Sequence, residues 1–323
     1  MACPLPYRLG ARALRRAQRL QCDTLYAVGG LYGNSFALSA LLERAHQEER
    51  ALQIVFNGDF NFLNATPGWW RTINTEVRHG DVHGVPHVAT LGNVEAEAAA
   101  EAYAGCGCGY PSYTSAAVPE RSDQIVRVLH GCAHAAGAPE LLSWLRGLPL
   151  GLVAEVGPRR TPVAVVHGDV DSLAGWGLGV EVLEPLDAAL REQLGCGAQH
   201  VTPRSRLRAW FAEAAVCGIL STHTCLPFGQ ALPWGEEDEA VAAAAAAADA
   251  ADADADVGGG GGGGGARVAG PRVLFNNGSA GMPNFRGGPA GVERAVRSLS
   301  EHSAPRACLV APRAQLASAH PGA

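Results

Sequence analysis

The chain has 323 residues, enough to bury a sizeable core in one large domain or two smaller ones. Its composition, with 47% hydrophobic residues, 17% charged residues and 41 glycines, is typical of an α/β protein with many tight turns. The formal net charge of -6 gives no reason to expect a surface for nucleic acid or for an anionic membrane, and no apolar run approaches the roughly 20 residues of a spanning helix.

Nine cysteines are scattered along the chain without a Cys-x-x-Cys pair, which indicates neither a disulfide framework nor a cysteine zinc site. We therefore expect a reducing, cytoplasmic location, with Cys106 and Cys108 as loop thiols. The basic segment 1–22 carries five arginines and no acid. It is either an exposed basic helix of the domain or a transit peptide for organelle import, and its lack of serine favours the first.

The chain opens with a predicted strand-helix-strand unit. Residues 24–30 read as a buried strand, and residues 35–47 have helical apolar spacing with Ser35 as a plausible N-cap. A second strand ends at Asp59. This order favours parallel pairing with a right-handed crossover.

The middle of the chain continues to alternate helices and strands. The predicted elements are a helix over 68–79, a strand ending at Asn93, helices over 121–136 and 139–147, and a hairpin of strands 152–156 and 163–167. A helix over 204–216 then leads to a strand that ends at His223.

Beyond this strand the sequence loses complexity. Residues 236–270 contain an alanine run, an Ala-Asp alternation and eight glycines, which predicts a disordered insertion in a surface loop. Residues 272–275 are again strand-like, and a last helix is expected near 289–300. We place one domain at 23–300, with a tail over 301–323.

Four apolar strands thus end on polar residues, Asp59, Asn93, His167 and His223. Strand ends are where α/β sheets bring ligand-binding side chains together. Carboxylate and amide oxygens and imidazole nitrogens are ligands of divalent metals.

In the order of its motifs the chain resembles the calcineurin-like metallophosphoesterases. The corresponding segments are Gly29-Gly30-Leu31-Tyr32-Gly33-Asn34, Gly58-Asp59, Gly92-Asn93-Val94-Glu95, His167-Gly168-Asp169, Thr222-His223-Thr224-Cys225 and Asn277-Gly278-Ser279. Each motif is weak alone, but they occur in order over about residues 24–285. The resemblance implies a four-layer αββα sandwich of two mixed sheets.

The resemblance also implies a site for two metal ions, of which one half is altered here. The ligand positions of one ion are filled by Gly30, Tyr32, Asp59 and Cys225, where only Asp59 is a usual ligand. The ligand positions of the other ion are filled by Asp59, Asn93, His167 and His223, all of them suitable. Val94 replaces the histidine that protonates the leaving group in many members, and Phe62 replaces the second aspartate of its motif.

We therefore expect a metal-dependent hydrolase of phosphate monoesters or diesters that holds one divalent ion, Mn, Zn or Fe. Asn93, His167 and His223 are its candidate catalytic residues. Asp169 and Glu95 are expected to support the ligands. The substrate is a phosphoester of a small molecule or a protein, and the oligomeric state is left open.

Two alternatives remain open at this stage. The first is a non-catalytic binding protein on the same fold, because one half-site is altered. The second is a dinucleotide-binding domain, because Gly29-Gly30-x-x-Gly33 follows a strand and Asp59 follows the next one. Leu31 stands where that motif needs its second glycine.

Overall fold

The computed structural model describes residues 7–80, 84–105, 107–183, 197–254, 272–281 and 307–308. The helices are α1 (Ala11–Arg15), α2 (Ser35–Ala45), α3 (Pro67–Arg78), α4 (Asn93–Ala99), α5 (Ala117–Ala135), α6 (Pro139–Arg146), α7 (Arg204–Ala214) and α8 (Glu236–Asp254). The strands are β1 (Arg19–Cys22), β2 (Thr24–Val28), β3 (Leu52–Asn57), β4 (His87–Thr90), β5 (Gly151–Val156), β6 (Thr161–Val166), β7 (Gly218–Ser221), β8 (Phe228–Leu232), β9 (Arg272–Asn276) and β10 (Ala307–Cys308). Among the described helices, none combines the length and the apolar character needed to cross a membrane. The helix expected near 289–300 lies outside the described residues.

The strands form two sheets. The four-stranded sheet has the order β10-β2-β3-β4, and its described pairs are all parallel. The six-stranded sheet has the order β1-β5-β6-β7-β9-β8, with antiparallel pairs at β5–β6 and β8–β9. The predicted parallel β2-α2-β3 unit and the predicted hairpin are confirmed. Of the two sheets, only the six-stranded one is mixed, because the crossovers of the other return each described strand in the same direction.

Both sheets are covered on both faces, which is why their central strands are apolar at almost every position. In β2, Tyr26 packs with α2, α3, α5 and α6, while Leu25 faces the other sheet. In β6, Val166 packs with α1 and α7, while Val165 faces the first sheet. The layers are therefore helices, sheet, sheet, helices, and the expected αββα sandwich is the observed architecture.

The basic N-terminal segment contributes to the second sheet. β1 pairs in parallel with β5 at the sheet edge, and Leu14 of α1 is fully buried against the α7 side of the core. Sequence reasoning predicted no strand here. Only the last of its four residues is buried, so the local pattern is too weak to mark it.

The predicted disordered insertion begins with a helix. Residues 236–254 form α8, in agreement with the high helix propensity of alanine. Asp238 Oδ2 accepts from the Gly235 N–H at 3.0 Å, and Asp238 Oδ1 lies 2.9 Å from Nε of Arg208 on α7. These contacts join the first turn of the helix to the core, so the structure describes a helix in a segment for which the sequence predicts disorder. Residues 255–270 lie outside the described residues.

Asn34, rather than Ser35, caps α2. Its Oδ1 accepts from the Ala37 N–H at 3.0 Å. Both residue types suit an N-cap, and the turn after β2 places Asn34 in the extended conformation that a cap requires.

The carboxyl ends of the two sheets meet along one line. Asn57 Nδ2, at the end of β3, donates to the Val166 carbonyl at the end of β6 at 2.8 Å. Asn277 Nδ2, after β9, donates to the Ala27 carbonyl in β2 at 2.9 Å. Buried amide side chains thus join the two edges, and the loops beyond them face one another.

Candidate metal centre

The four predicted ligand side chains meet where the sheet edges join. Asp59 follows β3, Asn93 is the first residue of α4, His167 follows β6 and His223 follows β7. His167 Nε2 lies 3.2 Å from Asp59 Oδ1, 3.1 Å from Asn93 Oδ1 and 3.2 Å from His223 Nδ1. All four residues are buried. In the described part of the chain, the ligand atoms of Asp59, His167 and His223 all lie within 4.8 Å of one another.

Each imidazole turns one ring nitrogen toward this meeting point. His167 Nδ1 lies 2.9 Å from the Asn57 carbonyl, and His223 Nε2 lies 2.9 Å from the Cys108 carbonyl. A carbonyl oxygen only accepts, so each of these outer nitrogens carries a proton. The inner nitrogens are then free to act as ligands. An outer N–H held by a carbonyl is the usual arrangement of metal-binding histidines.

The amide of Asn93 is also oriented. Its Nδ2 donates to Cys108 Sγ at 3.4 Å, so its oxygen points to His167. Cys108 is disulfide-bonded, which corrects the prediction of a free loop thiol. Disulfide formation depends on the approach of two sulfurs in space, which sequence spacing does not fix.

Asp59 is held in a strained turn by Glu95. Its φ of 53° lies in the left-handed region that non-glycine residues rarely adopt. Its N–H donates to Glu95 Oε2 at 2.7 Å, and the Asn61 N–H donates to Glu95 Oε1 at 3.1 Å. The fully buried Glu95 carboxylate thus clamps two backbone amides of this turn.

The protonation equilibria of the ligands are coupled through their contacts. Burial would raise the pKa of Asp59, but the charge and hydrogen bond of His167 hold it below its usual value. Burial would lower the pKa of His167, but the Asp59 carboxylate raises it. Burial and the neighbouring His167 lower the pKa of His223 to about 4. The group therefore favours one positive charge at its centre, next to His167 Nε2.

This donor set fits one divalent ion. A carboxylate oxygen, an amide oxygen and two imidazole nitrogens suit Mn, Fe or Zn. Four atoms with lone pairs converge here, and their mutual repulsion is relieved by a proton or a cation between them. A divalent ion would take the place of the proton that the coupled Asp59–His167 pair otherwise holds.

The predicted positions of the altered ligands, Gly30, Tyr32 and Cys225, lie close together. A Cβ on Gly30 would lie 2.5 Å from Cε1 of Tyr32, so the tyrosine ring takes the space that a side chain at position 30 would need. The Tyr32 hydroxyl lies 2.9 Å from Cys225 Sγ. Burial raises the pKa of Cys225 to about 11 and that of Tyr32 well above its usual value, so both are neutral near pH 7. The neutral Cys225 thiol, hydrogen-bonded to the Tyr32 hydroxyl, is a poor replacement for a metal ligand.

Backbone strain is concentrated at this place. Tyr32 and Cys225 have φ values of 53° and 59°, close to that of Asp59. Strained non-glycine residues cluster at functional sites because the surrounding structure must hold them there. Left-handed turns at Tyr32 and Cys225 therefore lie close to the predicted ligand Asp59.

The site opens into a cavity of about 190 Å³ with aromatic walls. Phe62, Tyr110 and Trp176 line it together with the ligand residues. The Trp176 ring centroid lies 5.3 Å from that of His223, and its Nε1 donates to the Cys108 carbonyl at 3.0 Å. Sequence reasoning missed Tyr110 and Trp176, because both lie in loops far from any motif and no local pattern marks them.

Asp169 supports a loop rather than a ligand. Its Oδ1 accepts from the N–H groups of Asp171 and Ser172 at 2.9 Å each, and its Oδ2 accepts from the Gly177 N–H at 3.0 Å. These bonds shape the turn that carries Trp176 to His223. The influence of Asp169 on the site is thus indirect.

The glycine turn after β2 is closed by the chain itself. A Cβ on Gly29 would collide with the Gly278 carbonyl, and the N–H groups of Ala280 and Gly281 both donate to the Gly30 carbonyl at 3.0 Å. The turn therefore has no room to cradle a dinucleotide phosphate. This finding corrects the dinucleotide-binding alternative.

No family model matches the chain, and no curated protein does. Among solved structures it is similar to a metallophosphoesterase from Sphaerobacter thermophilus, with 16% identity, a TM-score of 0.39, and coverage of 79% of this chain and 76% of that chain. It is also similar to the hypothetical protein PH1004 from Pyrococcus horikoshii OT3, with 14% identity, a TM-score of 0.38, and coverage of 65% and 72%. At these values the likenesses carry no argument about the site, whose description rests on its own geometry.

Proposed function

We propose that this protein is a metal-dependent phosphoester hydrolase that uses one divalent ion held by Asp59, Asn93, His167 and His223. The observation that carries the proposal is the convergence of four ligand atoms. Asp59 Oδ1, Asn93 Oδ1 and His223 Nδ1 each lie 3.1–3.2 Å from His167 Nε2, and the outer N–H groups of both imidazoles are held by carbonyls. Such an ion supplies Lewis-acid polarisation of a phosphoryl oxygen and a more acidic water.

Tyr32 and Val94 bear on how fast a one-ion enzyme would hydrolyse an ester. Tyr32 lines the cavity, and we propose that its neutral hydroxyl, which lies 2.9 Å from Cys225 Sγ, donates to a phosphoryl oxygen. Val94 is apolar and 1% exposed, so it supplies no proton to a leaving group. Loss of a general acid typically costs about 10²–10⁴-fold in rate. We therefore propose slow turnover, fastest with esters whose leaving groups need no protonation.

The size of the cavity favours a small ester. Its volume of about 190 Å³ is below the usual range of ligand pockets, about 300–1,000 Å³. We accordingly place a small-molecule monoester or diester ahead of a phosphoprotein as substrate.

A second function is favoured by the altered half-site. With Tyr32 filling the space beside Gly30, the protein would bind a metal and a phosphate without turning the ester over. Metal binding is common to both functions, and only hydrolysis separates them.

The test begins with metal content and stability. The purified protein, stripped with a chelator and reloaded with Mn²⁺ or Zn²⁺, should bind one ion per chain and unfold at a higher temperature. A ligand at 100 times its Kd stabilises the folded state by about 2.7 kcal/mol. His167→Ala should abolish both effects. His200→Ala is the matched control, because that histidine contacts Ser112 outside the site.

Hydrolysis is then measured with p-nitrophenyl phosphate and bis-p-nitrophenyl phosphate in each metal. Turnover that His167→Ala removes and His200→Ala keeps supports the hydrolase. Stoichiometric metal binding with no turnover of either ester supports the non-catalytic function. Failure of the folded protein to bind any divalent metal would overturn both.

A further inference from the structure

An apolar groove of about 290 Å³ lies beside the site cavity. One wall is the loop 62–65 after β3, and the other is a face of α5 on which Arg121, Gln124, Ile125 and Val128 recur at helical spacing. Its volume is near the lower end of ligand pockets, about 300–1,000 Å³. The groove therefore suits one substituent of a ligand.

Phe62 connects the groove to the metal centre. It is the residue that lines both the groove and the site cavity. Its ring centroid lies 5.5 Å from that of Tyr32, which also lines the cavity. A molecule that occupied both the cavity and the groove would contact the Phe62 ring.

Two apolar side chains that line the groove are largely exposed to solvent. Leu63 is 49% exposed and Val128 is 53% exposed. Single exposed apolar residues are ordinary, but two that face each other across a groove with a buried Leu129 at its base form a continuous apolar surface. The lining includes no acid, and its one charged residue, Arg121, would attract an anionic ester.

We propose that this groove binds the apolar substituent of the substrate, so that the protein acts on phosphoesters with an alkyl or aryl group rather than on sugar or nucleoside phosphates. This inference rests on the proposed function, since the phosphate is placed at the metal centre. The α5 face and Leu63 provide the apolar contacts, and Phe62 orients the ester between the two compartments.

The test compares matched ligands that differ only in chain length. Binding of octyl phosphate and of methyl phosphate to the metal-loaded full chain is measured by calorimetry. Hydrolysis of octyl and methyl p-nitrophenyl phosphate diesters is followed in parallel. Burial of only two methylenes would give about a tenfold difference in affinity, so we expect at least about tenfold tighter binding and lower KM for the octyl compounds.

Two valine variants on the same helix locate the effect. Val128→Glu places a charge in the groove and should remove the octyl preference. Val118→Glu is the control, because Val118 is 43% exposed on α5 but does not line the groove. Both substitutions replace a β-branched residue by a better helix former, so folding should be preserved.

The outcomes separate the groove from the catalytic function. Octyl-selective binding that Val128→Glu alone removes supports the groove even if no ester is hydrolysed, in which case the hydrolase proposal fails. Hydrolysis with equal KM values for the two diesters would overturn the groove and leave the hydrolase. The groove proposal would also be overturned if the wild type showed no preference for octyl over methyl compounds, or if Val128→Glu and Val118→Glu lost that preference equally.

Discussion

Glu95 shows how a residue that is not a ligand controls the metal centre. Asp59 occupies a left-handed conformation that its own side chain does not favour, and the Glu95 carboxylate holds it there through the N–H groups of Asp59 and Asn61. Burial, and then the Asp59 charge, raise the pKa of Glu95 to about 7. The clamp depends on both carboxylate oxygens of Glu95, since Oε2 accepts from the Asp59 N–H and Oε1 accepts from the Asn61 N–H.

Glu95→Gln should weaken the clamp, because the amide has one acceptor oxygen and turns its NH₂ group toward a backbone N–H. We expect metal affinity to fall by about 10–100-fold and the free energy of unfolding to fall by about 1–3 kcal/mol. Calorimetry and denaturant unfolding measure the two. Glu97→Gln is the control. Glu97 lies on the same helix but accepts a hydrogen bond from the Tyr7 hydroxyl, so this substitution should leave metal affinity unchanged. An unaltered Kd in Glu95→Gln would contradict the positioning role.

At the scale of elements, α8 shows that low complexity does not by itself determine structure. Its alanines give helix propensity, but the amphipathic pattern of a packed helix is missing. The attachment comes from its first turn, where Asp238 joins Gly235 and Arg208, and Glu239 joins Arg272 at 3.4 Å. Isolated helices are marginal in water, so such contacts decide whether the segment folds against the core.

Asp238→Ala should therefore lower the free energy of unfolding by about 1 kcal/mol, the usual cost of losing a capping side chain. The ion pair adds little, because the Arg208 side chain is 45% exposed. Circular dichroism during urea unfolding measures the change. Glu236→Ala, at an exposed position of the same turn, should cost less. Equal stability of Asp238→Ala and the wild type would show that α8 is held by other contacts.

At the scale of the whole molecule, the site exists because two sheets present their carboxyl ends to each other. Gly30 and Asp59 come from the four-stranded sheet, and His223 and Cys225 come from the six-stranded sheet. Both predicted sets of ligand positions share this frame, with left-handed turns at Tyr32, Asp59 and Cys225. The frame is therefore compatible with a second ion if suitable side chains are supplied.

The triple variant Gly30→Asp, Tyr32→His, Cys225→His should bind two divalent ions per chain, where we propose one for the wild type. The smaller ring at position 32 makes room for the new carboxylate. Metal content by mass spectrometry gives the stoichiometry. Gly30→Asp alone is the control: its Cβ would meet the Tyr32 ring at 2.5 Å, so it should lower the melting temperature and still bind one ion. A stoichiometry of one in a folded triple variant would show that the frame no longer accommodates a second ion.

Much of the fold and of the ligand set could be predicted because both have local signals. Short apolar runs that end on polar residues marked the strands before Asp59, Asn93, His167 and His223, and parallel topology places such strand ends at one edge. The walls of the cavity could not be predicted. Trp176 reaches His223 through a loop shaped by Asp169, and the groove needs Phe62 and Val128 to face each other from elements about 65 residues apart in the sequence.

The sequence by itself determined which chemical groups are present at the strand ends, because residue type and strand periodicity are local properties. It predicted that Asp59, Asn93, His167 and His223 form a complete ligand set and that Gly30, Tyr32 and Cys225 stand at the other ligand positions. Only the tertiary structure decided that the Tyr32 ring lies where a side chain at position 30 would be, that the Asn57 and Cys108 carbonyls orient the two imidazoles, and that Glu95 clamps the Asp59 turn. The contacts of the imidazoles and of Glu95 join residues 34 to 115 positions apart, and the place of the Tyr32 ring depends on a left-handed backbone turn, so neither leaves a pattern in the sequence.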